Sequence, residues 1–130
     1  MKHILMILFM LIALSLYANN APVVTITSAE QQTGGSMLVD IYYDLVDADG
    51  DDVYVSMIVS DDGGTTYGMS CDLIQGDIGP GIYPGSNKHI VWNVGNEHPG
   101  VHVENCYFKI IVDDVSLFPC IDINGNSYET

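Results

Sequence analysis

The sequence predicts an all-β fold, an antiparallel β-sandwich of six or seven strands. Three observations carry that expectation. Apolar and polar residues alternate with a period of two in several short segments, clusters of Gly, Pro and Asp separate those segments, and no stretch sustains a helical period. A single sheet could not cover so many apolar strand faces, so two sheets must close over one interior.

Residues 1–18, MKHILMILFMLIALSLYA, have the layout of a secretory signal peptide. Lys2 supplies the positive start, residues 4–14 form an unbroken apolar run, and Ala18 is a small residue suited to cleavage, with Leu16 less suited two positions before it. A retained anchor is the competing reading, but the run is shorter than the roughly 20 residues a spanning helix requires. No Cys follows the run to take a lipid. Export to the medium or the cell surface is therefore expected, with a sandwich over residues 22–114. Residues 115–130 are expected to be a linker and the opening of a further domain.

The strands follow in order. Residues 23–28 (VVTITS) form a first short candidate. In 37–45, Met37, Val39, Ile41, Tyr43 and Leu45 fall on one face, and Asp40, Tyr42 and Asp44 on the other. Val53–Ser60 repeats the pattern with Val53, Val55, Met57 and Val59 inward and Tyr54, Ser56 and Ser60 outward. Residues 66–74 are a shorter candidate. In 89–94, Ile90, Trp92 and Val94 share a side, which makes Trp92, the single Trp, a core anchor. In 106–112, Cys106, Phe108, Ile110 and Val112 alternate with Tyr107 and Lys109. Gly34-Gly35, residues 47–52, residues 61–64, residues 79–85 and Pro99-Gly100 read as turns. Short strands joined by such turns suggest an immunoglobulin-like or fibronectin type III-like sandwich.

Composition narrows the function. A chain of 130 residues holds one domain with a real core. With 17 acidic residues against 3 basic ones its net charge is −14. That balance excludes nucleic acid, whose phosphates require clustered Lys and Arg, and it opposes an anionic membrane surface.

The stretches LVDIYYDLVDADGDDVYVSMIVSDDGGTTY, GDIGPGIYPGSNKHIVWNVGNEHPG and FKIIVDD carry a resemblance. Together, over residues 22–114, the chain resembles a bacterial secreted Ig-like/fibronectin type III-like module. Such modules precede formylglycine-generating-enzyme-like (sulfatase-modifying) domains or Fibrobacter succinogenes major paralogous domains. The tail DINGNSYET is similar to the start of the latter. The resemblance implies a non-catalytic role and, as partner, a C-terminal domain of the same longer chain.

Several side-chain groups invite chemistry. Asp47, Asp49, Asp51 and Asp52 begin like a calcium loop, but Asp52 and Ile58 stand where an EF-hand requires Gly and Glu. In a sandwich the segments 37–46 and 106–112 run the same way, which brings Asp113 and Asp114 to the same pole. Two readings follow: a solvated turn whose Asp side chains cap it around Gly50, or a Ca²⁺ site relieving the repulsion of six carboxylates. Outward Tyr54 and Tyr107 on neighbouring strands suggest either a stabilising cross-strand pair or a platform for an extracellular protein or glycan. Cys71 and Cys106 share inward parity and either pair in an oxidising compartment or stay as free thiols, with Cys120 in the tail. His98 and His102 have the spacing of zinc-binding helices, but Pro99-Gly100 opposes a helix there, so loop histidines are the default.

No nucleophile, oxyanion or phosphate-loop motif is present in the sequence, so no enzyme is expected. The favoured function is a non-catalytic secreted or cell-surface module that spaces or presents a C-terminal domain. The alternative is an adhesive or carbohydrate-binding module, stabilised by calcium.

Overall fold

The computed structural model describes residues 19–100 and 105–114. The expected signal peptide, the tail from residue 115, His102 and Cys120 lie outside them. Seven strands and one short helix follow in order: β1 (Val23–Gln31), β2 (Val39–Val46), β3 (Val53–Ser60), β4 (Ile74–Gly76), β5 (Gly79–Ile82), β6 (Gly85–Trp92), α1 (Val94–Glu97) and β7 (Tyr107–Asp114). They make two antiparallel sheets, ordered β1-β2-β6-β4 and β5-β3-β7. The fold is an all-β sandwich.

Alternation sets which faces meet. Ile41, Tyr43, Leu45, Val53, Val55, Val59, Ile90, Trp92 and Val94 are at most 1% exposed, as the sequence parity requires. Burying each such side chain contributes roughly 1.5–3 kcal/mol before entropy is charged against it. Trp92 meets Phe108 edge-on, with ring centroids 6.0 Å apart, and so joins the two sheets through their aromatic residues. Tyr43 brings a hydroxyl into the core, where it donates to the Asp77 carbonyl at 2.6 Å. Burial, with the Asp77 charge beside it, pushes the Tyr43 phenol up to about 12.

The structure corrects the sequence reading in three places. Met37 precedes β2 with φ +51°, and its carbonyl accepts from Gly95 N–H rather than from a ladder partner. Residues 66–74 form no continuous strand: Met69 bridges Val59, and only Ile74–Gly76 pairs as β4. There the amides of Thr66, Asp72 and Leu73 donate to the Asp62 and Glu97 carboxylates instead of a neighbouring strand. Residues 79–82, expected as a turn, are strand β5. Val53 pairs with Ile82 and Val55 with Gly79, so β5 carries one extra residue, a bulge that Gly81 at φ +75° and the N–H-less Pro80 accommodate.

The turn after β3 is built on one carboxylate. Asp62 accepts from the Thr66 hydroxyl at 2.6 Å, the Thr66 N–H at 2.8 Å and the Ser60 hydroxyl at 2.7 Å. Fully buried Ser60 in turn accepts from Gly64 N–H at 2.8 Å. The Thr66 hydroxyl, then the Thr66 amide and Ser60, hold the Asp62 carboxyl down to about 2 from an ordinary 3.8. A depressed folded-state value means stability that is present above pH 3.8 and lost as pH falls towards 2. In urea titrations of Asp62→Asn, a lower midpoint at pH 7 and a shallower loss between pH 4 and 2 are expected. A wild-type slope over that window would refute the assignment.

Candidate functional site

The pole holding the 47–52 turn gathers the acidic residues that topology predicts there. Asp114 lies opposite Val53 and Asp113 opposite Tyr54 in the β3–β7 register. The turn itself is capped from within: Asp49 N–H donates to Asp47 Oδ1 at 2.9 Å, and Gly50 adopts φ +75°. Asparagines occupy two of the other carboxylates. Asn19 Nδ2 donates to Asp114 at 2.9 Å, and Asn20 donates to Asp49 through its backbone and side-chain N–H groups. Among the described residues, buried Asp47 Oδ2 has no hydrogen-bond partner. Asp51 is exposed, and the Asp52 carboxylate lies towards Gly81 of β5. Among the described residues, no three His, Cys, Asp or Glu side chains are grouped closely enough to hold a metal ion.

Tyr54 and Tyr107 are exposed and occupy neighbouring strands, yet they do not meet. Tyr54 is opposite Asp113 and Tyr107 is opposite Ser60, which separates them by six steps, roughly 20 Å, along β3. Parity gives the face of a side chain, whereas register gives its position along the strand. Tyr107 instead flanks the Asp62 turn, where it and Tyr67 both approach Gly64.

Among the described residues Cys71 and Cys106 are free thiols, the second of the two alternatives that the sequence leaves open. The Met69–Val59 bridge sets residues 69–71 along one side of β3, and β7 lies on its other side. Cys71 Sγ donates to the Met57 carbonyl at 3.2 Å, whereas Cys106 precedes the Tyr107–Ser60 pair about four steps away, roughly 13 Å along the strand. Disulfides require Cα atoms about 4.4–6.8 Å apart. Burial, with the Glu97 and Asp72 charges, pushes the Cys71 thiol up, and burial with Asp61 does the same for Cys106. Both therefore stay protonated and poorly nucleophilic at neutral pH.

Two constellations escaped the sequence reading. The first is Glu97, at the end of α1. Its carboxylate accepts from the Asp72 N–H at 2.8 Å, the Leu73 N–H at 3.2 Å and the Trp92 indole N–H at 2.8 Å. Burial alone would raise its pKa, but the bonds from Asp72, Trp92 and Leu73 outweigh that and hold the group below its ordinary value. It is a structural anchor.

The second lies on the outer face of the first sheet. Tyr42 on β2 stacks on His89 of β6, with centroids 4.4 Å apart and planes 4° from parallel. The two residues are directly paired in the ladder. His89 Nε2 lies 2.8 Å from Asp40 Oδ1. Hydrogen bonds from His89 first, then from the Gln32 side chain, hold the Asp40 carboxyl below its ordinary range. Beside Tyr42, towards β1, opens a polar groove of about 510 Å³ lined by Ser28, Glu30, Gln32, Thr33, Asp40 and Tyr42. Alternation had already placed Asp40 and Tyr42 outward. The pairing of β2 with the distant β6, which brings in His89, has no local sequence signal.

Fold and site together define a two-sheet antiparallel β-sandwich with a pre-ordered polar groove on one outer face. No protein-family model matches the chain, and neither a curated protein nor a solved structure matches it.

Proposed function

We propose that this chain is a non-catalytic, exported module of immunoglobulin-like type that presents its loops and faces while tethered through one pole. The observation that carries the reading is where the polypeptide enters and leaves. Val23 is paired with Val46 at the end of β2, and Asp114 is paired with Val53 at the start of β3, so both ends of the sandwich lie at the 47–52 pole. Asn19–Asp114 and Asn20–Asp49 bonds tie the entering chain to that pole. A module attached this way to a C-terminal domain holds the segments 32–38, 61–73 and 93–100 at the end away from it. The sheet order supports the immunoglobulin-like class. β1-β2-β6-β4 corresponds to strands A, B, E and D, and β3-β7 to C and F, with β5 added beside β3. A non-catalytic role is supported by how the acidic groups are used: Asp62 and Glu97 serve the scaffold as hydrogen-bond acceptors.

Two measurements on the native gene test this reading. N-terminal sequencing of the exported protein is expected to begin at Asn19. The reading frame is expected to continue past Thr130 into a second folded domain. A stop codon directly after Thr130, or a protein retained in the cytoplasm, would overturn it.

A further inference from the structure

We propose that the groove beside Tyr42 binds a neutral polysaccharide chain, with one sugar ring lying against the uncovered face of Tyr42. The sheet order β1-β2-β6 gives Tyr42 two different neighbours. Its β6 side is covered by His89, stacked at 4.4 Å. Its other side is turned to β1 and forms a wall of the groove with Ser28 and Glu30. A β-bulge between Ile26 and Ser28 creates this arrangement, because it puts Ser28 opposite Tyr42 and Glu30 opposite Asp40, all on the outer face. Without that extra residue the β1 partners would alternate the other way.

The wall is rigid before any ligand arrives. His89 is held by its backbone N–H on Asp77 Oδ2 at 2.8 Å and by its ring on Asp40, and it fixes Tyr42 by stacking. At the end of the groove, the Gln32 side chain bonds to Asp40 and its carbonyl oxygen accepts from the Ser36 hydroxyl at 3.3 Å. A preordered wall lowers the entropy cost of binding.

The lining chooses the ligand class. An aromatic face suits the C–H side of a pyranose, and carboxylate and amide side chains accept and donate to neighbouring hydroxyls. Among the described residues no Lys borders the groove, and the net charge of −14 opposes polyuronates, sulfated glycans and phosphates. An open trough along the edge of a sheet admits a chain passing through, whereas an enclosed cavity would select a single small molecule. This inference stands apart from what the module is tethered to and from Tyr54 and Tyr107.

Affinity electrophoresis of the full chain through gels containing β-glucan, xylan or galactomannan tests it, with polygalacturonate and polylysine as charged comparisons. Retardation by at least one neutral polysaccharide, and none by polygalacturonate, is expected. Tyr42→Ala is expected to weaken it roughly tenfold and Tyr42→Phe to preserve it, as truncation of an aromatic anchor does at other interfaces. Should Tyr42→Ala fail to fold, Glu30→Gln, on the exposed edge strand, is expected to weaken retardation with an unchanged melting temperature. Absence of retardation by all three neutral polymers, retardation by polylysine alone, or retardation indifferent to both Tyr42→Ala and Glu30→Gln would each overturn the proposal.

Discussion

Glu97→Ala is expected to destabilise the sandwich by about 3–4 kcal/mol, because it strands three donors at once. The Asp72 and Leu73 amides and the Trp92 indole N–H all point at one carboxylate, whose side chain is 9% exposed. Most of the loss falls on the indole N–H of fully buried Trp92, since the more exposed Asp72 and Leu73 amides can turn in part to water. Trp92 is the single Trp, so its fluorescence follows unfolding directly. Glu97→Gln keeps one acceptor oxygen and should lose about half as much. The acid dependence separates the two effects. Because the folded-state pKa of Glu97 lies below the ordinary 4.5, its contribution is full above that pH and disappears as pH falls through the lowered value. The Gln variant should lack that component while retaining the one from Asp62. Urea midpoints from pH 7 down to pH 2 measure both, and a Glu97→Ala midpoint equal to wild type would remove Glu97 from this role.

Gly76→Ala should be comparably damaging for a different reason. Gly76 has φ +109°, and a Cβ placed there would lie 2.3 Å from the His89 carbonyl oxygen. The strain and the displacement together are expected to cost roughly 3–5 kcal/mol. The backbone cannot shift locally without breaking neighbouring bonds. Asp77 N–H donates to the same His89 carbonyl at 2.8 Å, the Asp77 carboxylate accepts from His89 N–H, and the Asp77 carbonyl accepts from buried Tyr43. This is also where the chain leaves β4 in one sheet for β5 in the other. A fall in melting temperature of roughly 10–20 °C is expected for a domain of this size. Gly34→Ala is the control, since its Cβ would meet nothing within 4 Å. A Gly76→Ala melt no lower than that of Gly34→Ala would refute the steric account.

Much of the fold is legible residue by residue. The parity of Val39, Ile41, Tyr43 and Leu45, of Val53 to Val59, and of Ile90 and Trp92 correctly marks the core, because side chains of an extended strand must alternate between water and the interior. The turn at Gly50 and the gathering of Asp113 and Asp114 near it also follow from chain direction. β4 and β5 were misread, since three- and four-residue strands rich in Gly carry too few apolar positions to show a period.

Relations across the sheets obey a different logic. Tyr54 and Tyr107 share a face and still stand far apart, because ladder register depends on the whole β3–β7 pairing. Tyr42 and His89 are distant in sequence and stack because β6 crosses over to pair with β2. Cys71 and Cys106 have matching parity, but β3 runs between them. Local composition therefore decided which residues extend and which way each side chain faces, because backbone pleat and hydrophobicity act over two or three residues. Which side chains become neighbours was settled by strand order, bulges and register, which emerge when distant segments compete to bury the same interior.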